Sequence, residues 1–352
     1  MRIAVVSPYS VDYPGGVQSH ARELVGWLRR LGDDAWLVAP GTGSDDGSSR
    51  LVGKSLRVPA NGSLAPVALD PRVLRRVRVA VAGASVVHVH EPLVPLVAWA
   101  AMRVTPTVLT FHADPSPATR RAYRTCAPLL RRVIASASAI TAVSPVAAGA
   151  IAGFAPEPQI IPNGIDAAAY RPAGVERVPG RVAFLGRDDR RKGLDVLRKA
   201  WPGIRAAVPG ATARIMGAGG DDGDGLVYLG RVDDATKVNE LAAATVFCAP
   251  NRGGESFGIT LVEGMAAGCA VVAADLPAFR SAAGSAAVFV PVGDSGALAE
   301  RCVSLLTDAG AAARLGADGR AQSEQYDWAK IVPRYRRLYE RVVSEPEPLT
   351  GR

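Results

Sequence analysis

Cysteine is scarce in this chain. Cys126, Cys248, Cys269 and Cys302 are the four present in 352 residues, and no two lie at a paired spacing. That excludes a zinc knuckle and speaks against a disulfide framework. Long apolar runs are missing too: no stretch approaches the roughly 18 residues of a membrane-spanning helix. The opening Met1-Arg2-Ile3-Ala4-Val5-Val6-Ser7-Pro8-Tyr9 is too short a run for a signal peptide and reads as a first buried strand. No low-complexity tract interrupts the chain, and 48% hydrophobic residues fit a fully globular protein. Cofactor signatures are equally thin. The Asp221-Asp222-Gly223-Asp224-Gly225 loop lacks the spacing and closing Glu of an EF-hand and reads as a solvated turn. No other carboxylate cluster resembles a dedicated metal site. No G-x-G-x-x-G follows the first strand and no acidic ribose ligand follows at the right distance, which disfavours a nicotinamide dehydrogenase. A nucleic-acid-binding role finds no RNA-binding aromatic motif to support it. The expectation is a cytoplasmic protein with no bound cofactor and no metal ligands.

What is present is a repeating plan. Short apolar runs alternate with helix-like stretches, first at residues 3–7, 36–39, 86–89, 108–111, 140–143 and 159–161. A second series follows at 181–185, 212–216, 226–229, 246–249, 270–273 and 287–289. Apolar strands of this kind, separated by helices such as the one carrying Val17, Ala21, Leu24 and Leu28, imply parallel sheets covered on both faces. The chain is long enough for two such α/β domains. The turn signal Pro162-Asn163-Gly164-Ile165-Asp166 puts the joint there, giving domains 1–165 and 166–328. Residues 326–343 read as a helix with Trp328, Ile331, Val332, Tyr335, Leu338, Tyr339 and Val342 on one stripe and Arg334, Arg336, Arg337 and Arg341 mostly opposite. Charge is uneven: residues 1–165 carry 17 Lys/Arg against 10 Asp/Glu, the remainder 24 against 23. A basic half fits an anionic surface, membrane lipid or nucleic acid; an arginine-rich genome gives the same count.

The most informative stretch is Gly253-Gly254-Glu255-Ser256-Phe257-Gly258-Ile259-Thr260-Leu261-Val262-Glu263. It follows an apolar strand and enters a helix. Eight residues cover roughly 2.2 turns of about 3.6 residues, so Glu255 and Glu263 are expected on one side. Ser256, Phe257 and Gly258 are expected to leave backbone N–H groups for a phosphate or sugar hydroxyl. The alternative is a helix cap and a solvated carboxylate. Earlier in the same half, Gly186-Arg187 closes a strand and Arg190-Arg191-Lys192-Gly193 follows, a cationic set able to neutralise a diphosphate leaving group. In the first half, Pro14-Gly15-Gly16-Val17-Gln18-Ser19-His20 links the first strand to the first helix, where α/β folds bind phosphates, and Gly16 would let the backbone approach one closely. His112 ends a strand at the edge where ligands bind. His88 and His90 alternate along theirs and read as half-buried structural residues, because no third metal ligand is evident.

The spacing of Glu255 and Glu263 resembles the Glu-x7-Glu motif of retaining glycosyltransferases of the GT-B architecture, which pair two Rossmann-like, doubly wound domains. That resemblance implies that the C-terminal helix, residues 329–345, crosses back to the first domain. It also implies roles: Glu255 at the donor sugar, Glu263 at the nucleotide ribose, and Arg187 and Lys192, with Arg191, at the donor pyrophosphate. Ser256, Phe257, Gly258, Ile259 and Gly16 would lie against the donor, and His112 beside its sugar. His112, Glu255, Arg187 and Lys192 form the implied catalytic set.

The whole chain is similar to the phosphatidylinositol mannosyltransferases of mycobacteria and their relatives. The likeness rests on Ser7-Pro8-Tyr9-Ser10, the Pro14–His20 segment, His88-Val89-His90-Glu91-Pro92, Ile161-Pro162-Asn163-Gly164, Val232-Asp233-Asp234-Ala235-Thr236-Lys237, the Gly253–Glu263 segment and Tyr326-Asp327-Trp328. It implies a guanine pocket at Val232, Asp233, Asp234 and Lys237; a carboxylate there accepts from guanine N1–H and amine, a pattern uracil does not offer. GDP-mannose is therefore the expected donor. Tyr9, Gln18, Asn61 and Gly62 match positions the family uses around the inositol phosphate. Two neighbours depart from it: Ala60 stands where the family has an aromatic and Pro66 where it has an Arg, which removes a charge-assisted phosphate contact. Arg72, Arg75, Arg76 and Arg78 remain as a basic segment for anionic lipid, or as a solvated helix face. The expected function is mannose transfer to a phosphatidyl-myo-inositol-type lipid by a peripheral enzyme on the inner face of the plasma membrane. A soluble glycan, polyol or polyprenyl-linked acceptor, or a UDP-sugar donor, stands as the alternative.

Overall fold

The computed structural model describes residues 1–43, 47–60, 63–104 and 106–345. Two compact units emerge: Met1–Gly164 together with Trp328–Arg352, and Ile165–Asp327.

In the first unit the strands are β1 (Arg2–Val6), β2 (Asp34–Ala39), β3 (Ser49–Leu51), β4 (Leu56–Ala60), β5 (Ser63–Val67), β6 (Val86–His90), β7 (Thr107–Phe111), β8 (Ala139–Ala142) and β9 (Gln159–Ile160). Seven of them form a parallel sheet in the order β3-β2-β1-β6-β7-β8-β9, and β4 and β5 form a separate antiparallel hairpin. Neighbouring residues of β1 serve opposite layers, as pleating requires: Ala4 and Val6 enter one core cluster, Ile3 and Val5 the other. Burial on both faces is why these strands read as unbroken apolar runs.

The second unit repeats the plan with β10 (Val178–Leu185), β11 (Thr212–Met216), β12 (Leu226–Gly230), β13 (Ala244–Ala249), β14 (Ala270–Ala274) and β15 (Val288–Val290). Its order is β12-β11-β10-β13-β14-β15, all parallel. Both sheets reverse direction of winding beside their first strand, between β1 and β6 and between β10 and β13. Such switch points are where open α/β sheets bind ligands, just beyond the C-terminal strand ends.

The last helix starts later than its sequence pattern suggests. A 3₁₀ turn, Glu324–Tyr326, gives way to an extended Asp327, and Trp328–Ser344 is the helix proper. Asp327 explains the break: its carboxylate accepts the N–H of Ala167 at 3.1 Å, and Ile165 donates to the Tyr326 carbonyl. The helix then enters the first unit. All seven stripe residues, Trp328 to Val342, are buried beside Ile3, Val5, Leu24 and Leu28, each worth about 1.5–3 kcal/mol of apolar burial for the larger side chains. Arg336 pairs with buried Asp33 at 2.9 Å, which also holds the N-terminal amine at 2.7 Å.

Candidate active site

The loops after β10 and β13 meet at the second unit's switch point. The contact depends on Gly193, in the left-handed region at φ 72°, where a Cβ would fall 1.9 Å from the Pro250 carbonyl oxygen. Only glycine satisfies both demands. Arg252 N–H then bonds the Arg191 carbonyl at 2.8 Å, and the junction brings Lys192 Nζ to 2.5 Å from Glu255 Oε1. Asn251, itself 3% exposed, donates its amide to the same oxygen at 2.8 Å. Arg191 folds back onto Asp189 at 2.7 Å, a bond that holds the Asp189 carboxyl below its usual range against the opposing effect of burial, with Arg187 adding to the pull. Arginine, lysine and carboxylate therefore stand together where a diphosphate can be received.

Glu255 does not belong to the helix. Gly258, at φ 92°, is the N-cap of Ile259–Ala266, so the backbone before it is not helical and the two-turn spacing expected for Glu255 and Glu263 does not hold. Each carboxylate has its own partners. Glu263 accepts from Tyr170 Oη at 2.5 Å and Lys237 Nζ at 3.0 Å, both on Oε1. Lys237 also reaches Asp234 at 3.1 Å and lies over the Tyr170 ring. Burial works against the Lys237 ammonium, but Glu263 and Asp234 outweigh it and raise its pKa. Gly258 carries no side-chain cap, so the first N–H groups of that helix remain available to a ligand. Phe257 is buried, edge-on to Tyr326 at 5.2 Å, while Ser256 is partly buried; Phe257 thus anchors the turn from the apolar side.

The Val232–Lys237 segment is partly committed elsewhere. Asp233 caps the helix Asp234–Ala243 by accepting Thr236 N–H at 2.7 Å, which lowers its pKa. Asp234 is 96% exposed and Val232 half-buried.

At the first unit's switch point the chemistry differs. Gly16 opens the helix Gly16–Arg30 with Gly15 as N-cap, and among the described residues a Cβ on Gly16 would meet nothing within 4 Å. Gln18 is buried and its amide donates to the carbonyls of Ser10 at 3.3 Å and Tyr13 at 3.4 Å. It braces the glycine loop. Tyr9 is half-buried in a bridge to Val67, and burial, then the Glu91 charge, raises its hydroxyl pKa. Asn61 and Gly62 lie outside the described residues. Pro66 faces Arg57 across the β4–β5 hairpin, and directly opposed residues share a face. The guanidinium absent at 66 is therefore present on the adjoining strand, over the Tyr13 ring at 5.4 Å.

His112 gathers with every other histidine of the chain. His90 Nδ1 and His112 Nε2 share a hydrogen bond of 2.7 Å; His88 bonds Tyr339 Oη at 2.7 Å and Thr110 Oγ1 at 2.6 Å. Burial drives all four rings toward the neutral form, His88 and His112 to about 3. Two expectations need correction. His88 and His90 are fully buried, because β6 lies between β1 and β7. A third ring also exists beside His90: nitrogens of His20, His90 and His112 lie within 4.8 Å of one another. His20 was missed, although it lies three residues after Val17 and four before Leu24, on the helix's apolar stripe. Glu91 was missed as a participant. Strained at φ 48°, it accepts His112 N–H at 2.7 Å, and burial raises its carboxyl to about 7 despite backbone bonds from His112 and Ala113.

Arg72, Arg75, Arg76 and Arg78 are all exposed. Arg72 is the N-cap of Val73–Val81 rather than a residue of its first turn. Val79, 67% exposed, shares the outer face with Arg75 and Arg76, while Val73, Val77, Ala80 and Val81 face inward. Among the described residues no helix is long and apolar enough to cross a membrane.

Comparison with known proteins gives these features a context. The family described as Glycosyltransferase Family 4 matches residues 14–169, and that described as Glycosyl transferases group 1 matches 179–308. The phosphatidyl-myo-inositol mannosyltransferase of Mycobacterium leprae is 37% identical, with 98% of both chains covered; that of Mycolicibacterium smegmatis is 37% identical over 97% of this chain and 94% of its own. A GDP-mannose-dependent monoacylated alpha-(1-6)-phosphatidylinositol monomannoside mannosyltransferase of Corynebacterium glutamicum is 29% identical over 55% of this chain and 58% of its own. In fold, sucrose-phosphate synthase from Thermosynechococcus elongatus superposes with a TM-score of 0.75 at 20% identity, covering 97% of this chain and 99% of that one. The fold is GT-B.

Proposed function

The chain belongs to the phosphatidyl-myo-inositol mannosyltransferases, and from that premise we propose that it is a retaining enzyme that moves mannose from GDP-mannose to a phosphatidyl-myo-inositol-type lipid, working as a peripheral protein on the inner face of the plasma membrane. The observation that carries the proposal is the Lys192–Glu255–Asn251 cluster at the β10/β13 switch point, in a chain related to those enzymes from end to end.

In this reading Lys192 and Arg187 take the charge that develops on the departing GDP, aided by the uncapped helix at Ile259. Lys192 leaves Glu255 for the diphosphate, and Glu255, still held by Asn251, turns to the mannose. Glu263 receives the ribose. The Val232–Lys237 segment reads guanine, with Asp234 as the freer of its two carboxylates. The partial relative from Corynebacterium, GDP-mannose-dependent by name, supports the donor. No metal is assigned a role. In the first unit Gly16 faces the donor and His112 the sugar, while Tyr9 and Arg57 meet the acceptor phosphate, Arg57 standing in for the charge lost at Pro66. Gln18 acts there by bracing the loop. Arg72, Arg75, Arg76 and Arg78 rest on anionic lipid, with Val79 among them. No nucleic acid is involved.

The second reading keeps the enzyme and changes the acceptor to a soluble or polyprenyl-linked one; Ala60 and Pro66 favour it. An acceptor panel with radiolabelled GDP-mannose and UDP-sugars decides. Transfer from GDP-mannose to liposomes only when they contain phosphatidylinositol, lowered by Arg57→Ala, is the expected outcome. Transfer to a soluble polyol, or from a UDP-sugar at equal rate, would replace the proposal.

A further inference from the structure

Two carboxylates of the second unit are held in the same asymmetric way. Glu255 takes Lys192 and Asn251 on Oε1, and Glu263 takes Lys237 and Tyr170 on Oε1. Neither Oε2 receives a donor from the described residues, and neither is among the sealed, unpartnered polar atoms of the interior. Each glutamate is thus tied by one cation and one neutral donor through one oxygen, and presents the other.

The neutral donor on Glu263 has no assigned role. Tyr170 ends the 3₁₀ turn Ala167–Tyr170 and is 6% exposed. Its turn is fixed from both sides: Asp166 caps it by accepting Ala169 N–H at 3.2 Å, and Asp327 holds Ala167 N–H at 3.1 Å. The hydroxyl therefore approaches Glu263 from a backbone that is itself clamped, at the short 2.5 Å expected of an O–H donated to a carboxylate. Lys237 alone would leave the Glu263 side chain one ammonium contact, and an ammonium is a point charge without the directionality to fix a carboxylate plane. Two donors on one oxygen fix it.

We propose that Tyr170 is a positioning residue for ribose recognition: its hydroxyl locks Glu263 through Oε1 so that Oε2 accepts the 2′- and 3′-hydroxyls of a nucleoside diphosphate. This rests on the reading of Glu263 as the ribose ligand. The preformed acceptor makes the site selective for ribo- over deoxyribonucleotides, because a sugar lacking those hydroxyls leaves Oε2 with no donor after its water has been displaced.

The test is calorimetric binding of GDP and 2′,3′-dideoxy-GDP to the full-length protein and to Tyr170→Phe, which keeps the ring and removes the hydroxyl. Wild type is expected to prefer GDP by about tenfold or more, the size of a hydrogen bond to a charged acceptor. In Tyr170→Phe the preference should shrink several-fold through weaker GDP binding, with dideoxy-GDP affinity unchanged; that constancy separates lost positioning from a damaged fold. A preference as large in Tyr170→Phe as in wild type would overturn the role of Tyr170 and leave Glu263 as ribose ligand. No preference in wild type would overturn the ribose reading itself. Glu263→Gln, which keeps a carbonyl acceptor but loses the charge, should reduce the preference further than Tyr170→Phe.

Discussion

At the β1/β6 crossing the first unit collects neutral rings; at the β10/β13 crossing the second collects ion pairs. The strand orders around the two crossings are alike, and the residues that stand there are polar in both. What separates them is access to water. His20, His88, His90 and His112 are 0–7% exposed, and desolvation removes their charge. The side chains of Lys192, Glu255, Lys237 and Glu263 keep 10–20% exposure and stand paired at 2.5 and 3.0 Å. The overall balance runs the other way: the first unit holds 23 Lys/Arg against 13 Asp/Glu and the second 18 against 20. The unit with the larger net charge gathers neutral rings, with Glu91 beside them, at its switch point. A fold thus fixes where a ligand can sit, while burial fixes whether that place offers shape or charge.

Acid should break the comparison most strongly. A histidine held neutral in the fold but free to protonate near 6.5 when unfolded gives the unfolded chain more bound protons below that pH, so stability falls as pH drops from about 6.5 toward 3. Glu91 opposes this: its raised pKa means the folded state holds the extra proton between about 4.5 and 7, which adds stability on acidification. Four histidines against one glutamate leave a net loss of stability on acidification from pH 7.5 to 5.5. Hydrogen exchange on the whole chain should show protection falling across β1, β6 and β7 and holding across β10 and β13, since no histidine lies in the second unit. Equal loss in both units would show that the buried rings do not govern the response.

Next in size is the clamp. Lys192→Ala should lower the transfer rate by about 10²- to 10³-fold, the usual effect of removing one group that stabilises developing negative charge. Thermal stability should change little, because Lys192 lies in a 3₁₀ turn and its loss frees Glu255 to solvent. Initial rates with GDP-mannose measure it; near-normal turnover would move the diphosphate away from the β10/β13 crossing.

The smallest effect concerns the surface of the basic unit. Replacing Arg72, Arg75 and Arg76 by Ser should weaken binding to anionic liposomes by roughly two decades at low salt, at about 1 kcal/mol per residue, with the difference fading as salt rises. Hydrolysis of GDP-mannose without acceptor should be unaffected. A wild-type protein that ignores anionic vesicles would leave the charge asymmetry of the two units without a membrane role.

Much of this was written in the sequence. Alternating runs such as residues 86–89 and 246–249 announced doubly buried strands because burial on two faces demands apolar residues in succession. The stripe from Trp328 to Val342 announced its own burial by a different sign, apolar residues at helical spacing on one face. The Gly-Gly and Phe-Gly around Glu255 announce a turn rather than continuous helix, and all three glycines, Gly253, Gly254 and Gly258, have positive φ, so the helical spacing expected of the two glutamates fails there. The hairpin at β4 and β5 left no signal strong enough to find. Tertiary structure alone decided the rest. That His20 meets His90 across 70 residues, that Tyr170 reaches Glu263 across 93, that Arg57 faces Pro66, and which oxygen of each glutamate is left free are facts about packing between elements. Hydrophobic periodicity is a local property and names the face that turns inward; it carries no term for which side chain from a distant element will be waiting there.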